Sequence, residues 1–142
     1  MAKRSGFTLI EVMIAIVIVG IIVGMAVPYV NSTQAKYNNT INNLIDKLNM
    51  ARQEAITRNL TTTFYIDADS FFYGSDKFVY DTRIEAVVYN ADGEEISFEN
   101  PILFNAGGTT PKLVVFEISG FDKLTRIYLM PSGYILKSNE TE

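Results

Sequence analysis

The chain has no cysteine, no histidine and no tryptophan in 142 residues. Without cysteine there is no disulfide framework and no thiolate chemistry. Without histidine, the commonest general base and the commonest metal ligand are both missing. Only four prolines interrupt it. Positive charge is scarce too: 12 Lys and Arg face 16 Asp and Glu, a net charge of −4. Broad non-specific binding to nucleic acid needs a basic surface, so that class is disfavoured. No catalytic, cofactor-binding or metal-binding residue is assigned.

What the sequence has is one long apolar run near its start. Met1 to Gly6 carry Lys3 and Arg4, and Phe7 to Val30 then hold Glu11 as their one side chain charged at neutral pH. As a helix, about 24 residues reach about 36 Å, enough for a bilayer core of about 30 Å. The basic side stays cytoplasmic, which sends the remainder of the protein outward. A secretory signal has a shorter apolar region, of about 7–15 residues. A carboxylate at Glu11 is costly in an apolar run and marks a functional candidate.

After the run the pattern becomes amphipathic. Tyr37, Ile41, Leu44, Ile45, Leu48, Ala51 and Ala55 recur at helical spacing and form one core-facing stripe. Asn42, Asn43, Asp46, Lys47, Asn49 and Arg52 are expected on the solvated or subunit-facing side. Asn59 suits a left-handed cap that ends the helix.

From Leu60 the alternation is that of strands. The first, through Thr62, Phe64 and Ile66, leaves the helix directly. Others are expected at Phe78–Tyr80, Glu85–Tyr89, Glu95–Phe98, Ile102–Phe104, Leu113–Ile118, Thr125–Met130 and Tyr134–Leu136. Gly74-Ser75-Asp76, Asp92-Gly93, Gly107-Gly108, Ser119-Gly120 and Pro131-Ser132-Gly133 supply turns. Phe71, Phe72 and Tyr73 read as an aromatic cluster, packed in the core or, as the alternative, offered as a contact patch. Ser138 to Glu142 read as a frayed end. The expected fold is α+β: a long N-terminal helix, membrane-spanning in its first half, packed on a small antiparallel β-sheet head.

Ser5-Gly6-Phe7-Thr8-Leu9-Ile10-Glu11, between a basic stub and an apolar helix, resembles the prepilin processing motif of type IV pilins and pseudopilins. The resemblance implies cleavage after Gly6 by a prepilin peptidase. Phe7 then becomes the N-methylated mature N-terminus. Glu11 corresponds to the glutamate that pairs with a neighbouring subunit's terminal amine during assembly. Such pairing lowers the cost of a carboxylate in an apolar bundle. Gly20 and Pro28 match places where pilin helices loosen in the filament; Gly24 lies between them. The alternative reading is that small residues here permit close helix packing.

Leu48-Asn49-Met50-Ala51-Arg52-Gln53-Glu54-Ala55-Ile56-Thr57-Arg58-Asn59 is similar to the helix-end signature of the GspH/FimT-like minor pseudopilins and minor pilins. Arg52 and Glu54 are read there as solvated, without a site role. The implied organisation is a leader at 1–6, a transmembrane and filament-core helix at 7–30, an amphipathic helix at 31–59 and a β-rich head at 60–142. The implied function is that of a structural subunit of a type IV pilus or type II secretion pseudopilus. It would reside in the bacterial inner membrane until assembly, with its head periplasmic or extracellular. The implied partners are the prepilin peptidase, other pilin or pseudopilin subunits, the inner-membrane assembly platform with its ATPase, and membrane lipid.

The alternatives are a major pilin, or a tip module contacting DNA or secreted cargo through Lys112, Lys123, Arg126 and Lys137. Those four basic residues are interspersed with Glu117, Asp122, Glu140 and Glu142. Asp67-x-Asp69 hints at calcium, but Phe71 stands at the next ligand position, so the EF-hand pattern fails.

Overall fold

The computed structural model describes residues 8–96 and 101–140, with the side chains of 26–31 and 139–140 outside that description. One helix, α1, runs Leu9–Arg58. The Thr8 carbonyl accepts the first helical bonds, from the Glu11 and Val12 amides at 3.1 and 3.3 Å. The protein divides into two units at Ala35/Lys36, and each has its own character.

In the first unit, the described side chains of α1 are exposed from Leu9 to Met25. Leu9 is 82% and Met25 75% exposed, with Ile, Val and Met all round the helix between them. A helix apolar on every side has no solvated face to present to water.

In the second unit the apolar stripe is used as its spacing predicts. Tyr37, Ile41, Leu44, Leu48, Ala51 and Ala55 are buried, and Ile45 packs at the margin. Asn59 ends the helix with φ 52°, and the Leu60 amide reaches back to the Ala55 carbonyl at 3.1 Å. That bond, from the residue after the left-handed position, closes a Schellman cap. Leu60 therefore belongs to the cap, and the first strand begins at Thr62 instead.

Eight strands follow: β1 Thr62–Asp67, β2 Ser70–Tyr73, β3 Asp76–Val79, β4 Glu85–Asn90, β5 Ile102–Phe104, β6 Val114–Gly120, β7 Lys123–Leu129 and β8 Ile135–Glu140. They form two antiparallel four-stranded sheets, ordered β3-β2-β1-β5 and β4-β6-β7-β8. Alternation sends Phe64 and Ile66 of β1, Phe116 and Ile118 of β6, and Ile127 and Leu129 of β7 inward. Burying each such side chain is worth roughly 1.5–3 kcal/mol. The sheets meet where the Phe64 and Phe116 rings pack edge to face, with centroids 6.4 Å apart.

Polar ties fix the helix to both sheets. The Tyr37 hydroxyl reaches the Ile118 carbonyl of β6 at 2.9 Å and Thr125 Oγ1 of β7 at 3.1 Å. Thr62 Oγ1 of β1 donates to the Ala51 carbonyl at 2.8 Å.

Four local expectations are corrected. Phe71-Phe72-Tyr73 is more than an aromatic cluster, because it forms most of a strand, β2, paired with β1 and β3. Lys47 is not on a solvated face; it is 6% exposed and ion-paired to Asp76. The turn after β6 is not Ser119-Gly120 but Phe121-Asp122, at φ 55° and 57°, the type I′ signature of a two-residue hairpin. The C-terminal segment continues as β8 to Glu140 because β7 offers a full antiparallel partner, from Leu124↔Glu140 to Leu129↔Ile135. The Asp92-Gly93 turn closes as expected, with the Asn90 amide bonded to the Glu94 carbonyl and Tyr89 bridged to Glu95. Ser97 and Phe98 of the strand expected there lie outside the described residues.

Candidate assembly site

The residues assigned to processing and assembly all lie in the first unit. Gly6 and Phe7 are outside the described residues. Glu11 sits in the first turn of α1 and is exposed. A carboxylate there is favourably placed for the partial positive charge at a helix N-terminus. Among the described residues it is the one charged side chain in the exposed apolar stretch that ends at Met25.

Gly20 and Gly24 are helical, and a Cβ added at either would meet nothing within 4 Å. Close packing within the protein itself therefore does not explain these glycines. α1 is continuous through Gly20, Gly24 and Pro28. No helix among the described residues is long and apolar enough to cross a membrane; the apolar side chains described before residue 26 are those of Leu9–Met25.

On the second unit the candidate DNA-contacting cations are partly committed. Arg126 Nε donates to Glu117 Oε2 at 2.8 Å across β6 and β7. Lys123 Nζ lies 6.0 Å from the Tyr37 ring centroid. Lys112 and Lys137 are exposed. Among the described residues, no group of three or more acidic side chains is arranged to hold a metal ion.

Asp81 has the densest ionic surroundings. Its carboxylate accepts from Arg83 Nε at 2.8 Å and Nη2 at 3.0 Å, from the Arg83 amide at 3.2 Å, and from Lys36 Nζ at 3.1 Å. The Arg83 bonds first, then Lys36, hold the Asp81 carboxyl well below the usual carboxylate range. Arg83 also covers the Phe121 ring, its guanidinium carbon 4.5 Å from the centroid. One tie thus links helix, loop and the β6–β7 turn.

The prokaryotic N-terminal methylation motif matches residues 1–27. No curated protein sequence matches this one. Among solved structures, the type IV minor pilin FimU of Pseudomonas aeruginosa (strain PAO1) superposes with a TM-score of 0.54 at 17% identity, covering 76% of this chain and 89% of that one. The chain has a pilin-like fold. Its helix-then-two-sheet build is the pilin fold, behind a prepilin-type N-terminal motif.

Sequence reasoning singles out Glu11 as the lone charge in an apolar run. It gave Arg52 and Glu54 no role, yet both are held by the head. Arg52 Nε donates to the Gly108 carbonyl at 3.2 Å. Glu54 accepts from the Tyr73 hydroxyl and pairs with Arg58 at 3.0 Å. The only sequence signal for either was the helix-end signature, which says nothing of strand partners.

Proposed function

We propose that this protein is a minor subunit of a type IV pilus or of a type II secretion pseudopilus. It is processed after Gly6 by a prepilin peptidase, methylated at the Phe7 amine, and assembled through α1. One observation supports this most: an exposed stretch, apolar on every side, that carries a single carboxylate four residues from the proposed new terminus. Leu9–Met25 would extend about 26 Å, and the sequence stays apolar to Val30, giving about 33 Å for Leu9–Val30. That length suits an inner-membrane crossing with the head on the far side.

Before assembly the stretch is solvated by lipid. In the filament, other pilin or pseudopilin subunits replace lipid around it. Glu11 then meets the terminal ammonium of a neighbour's Phe7, a pairing that favours one axial register because an unpaired carboxylate there is expensive. Gly20 and Gly24, which no neighbour within the same protein requires, serve close approach between helices or local loosening near Pro28. The assembly platform of the inner membrane and its ATPase supply the energy for insertion.

The likeness to a minor pilin favours the minor over the major subunit. Pairing of Arg126 with Glu117 weighs against the DNA-contacting tip reading, since it removes one of the four candidate cations.

The test is Glu11→Val in the native host. Membrane level and leader cleavage are expected to persist while the protein vanishes from the sheared filament fraction. Normal incorporation of the variant would overturn the register mechanism.

A further inference from the structure

Arg52 is built into the head. Its Nε donates to the Gly108 carbonyl, and the turns bearing Gly108 (φ 70°) and Gly133 (φ 75°) close around its side chain. A Cβ at Gly133 would lie 2.7 Å from Arg52 Nε; one at Gly108 would lie 3.1 Å from Arg52 Cγ and 2.6 Å from Ile56 Cδ1. The Thr110 amide ties these turns together by bonding to the Pro131 carbonyl at 2.9 Å. The arginine is therefore pre-positioned by two turns that only glycine fits.

A guanidinium has five N–H donors, and this contact uses one. Among the described residues Arg52 has no carboxylate partner. The nearest acid in sequence, Glu54, is engaged by Tyr73 and Arg58. Beside Arg52 lies a groove of about 410 Å³ lined by Asn49, Arg52, Gln53, Ile56 and Thr57. It offers one fixed cation, two neutral amides, a hydroxyl and an apolar wall, with Ile56 48% exposed.

We propose that this groove binds a carboxylate carried by a polypeptide partner. The planar fork of arginine suits a carboxylate through two parallel bonds. Asn49, Gln53 and Thr57 supply neutral donors around it, and Ile56 covers the aliphatic stem that carries the acid. One cation matches one negative charge. A phosphodiester polymer instead calls for several cations and would approach a protein of net charge −4. The carboxylate can come from an Asp or Glu side chain or from a polypeptide's terminal carboxyl group. This site stands on local geometry and is independent of whether the protein polymerises.

The test uses the full-length protein, isotope-labelled in detergent micelles, and follows the Arg52 Nε–H signal and the amides of residues 49–57 by NMR. The probes are acetate, an amidated peptide with one internal Glu, a peptide whose one carboxylate is its C-terminus, inorganic phosphate and a single-stranded oligonucleotide. Saturable shifts at Arg52 with acetate and one or both peptides are expected, and the stronger peptide identifies the source. Arg52→Lys, which keeps the charge but loses the fork, should weaken peptide binding about tenfold. Gln53→Ala, which leaves the Arg52–Gly108 bond in place, should weaken it about fivefold and keeps the test decisive if Arg52→Lys does not fold. The proposal is overturned if carboxylates give no saturable shift at Arg52, if the folded variants bind as well as wild type, or if phosphate or the oligonucleotide binds more tightly.

Discussion

Lys47, in the buried stripe of α1, directs its ammonium at the carboxylate of Asp76, which opens β3. The lysine side chain is 8% exposed and the aspartate 67%. The pair is thus lopsided: one ion has lost its water and the other has kept most of it. Deleting the aspartate strands a desolvated charge, whereas deleting the lysine returns a carboxylate to solvent. Asp76→Ala should therefore cost about 2 kcal/mol, below the ~3–5 typical of a fully buried pair. Lys47→Met should cost less than about 1 kcal/mol, since an apolar side chain of similar volume replaces the ion. Urea unfolding of both variants in detergent checks the order, and equal costs would show that Lys47 finds another partner.

At high pH the tyrosines dominate. Tyr80 is buried, its hydroxyl donates to the Asp67 and Ala68 carbonyls, and Asp69, Asp67 and Glu85 surround it with negative charge. Burial first, then those acids, pushes it up to about 12. Tyr73 is pushed up to about 12 by burial and by its bond to Glu54. Between about pH 10 and 12 the unfolded polypeptide releases protons that the folded head retains, so stability is complete below about pH 10 and falls as pH rises through this window. Tyr80→Phe should flatten that fall in a pH series of thermal melts, and an unchanged profile would assign the fall to other groups.

Asp81 acts at the other end of the scale. Its folded carboxyl stays ionised where the unfolded one, near its ordinary value of about 3.9, takes up a proton. Its contribution is present above about pH 4 and is lost as pH falls further. Asp81→Asn should lower stability at neutral pH and reduce the acid sensitivity below about pH 4. Unchanged acid sensitivity would show that other carboxyls govern it.

Two glycines separate backbone conformation from crowding. Gly93 has φ 79° with nothing within 4 Å of an added Cβ, while at Gly133, φ 75°, the Cβ would overlap the Gly108 carbonyl oxygen. Gly93→Ala should cost about 1 kcal/mol for the left-handed backbone alone. Gly133→Ala should cost about 2–4 kcal/mol by adding the clash. Denaturant midpoints of the two variants measure the difference.

Much of this architecture was legible because it follows short-range periodicity. The stripe from Tyr37 to Ala55 repeats at helical spacing, and Phe64, Phe116 and Ile127 alternate with outward residues. Glu11 stood out by charge alone. Features that depend on distant partners were not legible. Ser70-Phe71-Phe72-Tyr73 lacks alternation, and both Ser70 and Phe71 are buried, so only pairing with β1 and β3 makes it a strand. Lys47 meets an aspartate from another element. Phe121 in a left-handed turn is supported by Arg83, far from it in sequence. Arg52 acquires its setting only when two glycine turns close over it.

Entry into the pilin pathway is decided by the intact mass of the protein recovered from its native membranes. A polypeptide that begins at Phe7 and carries a methylated terminal amine is expected. An uncut polypeptide beginning at Met1, in cells whose prepilin peptidase is active, would contradict that entry.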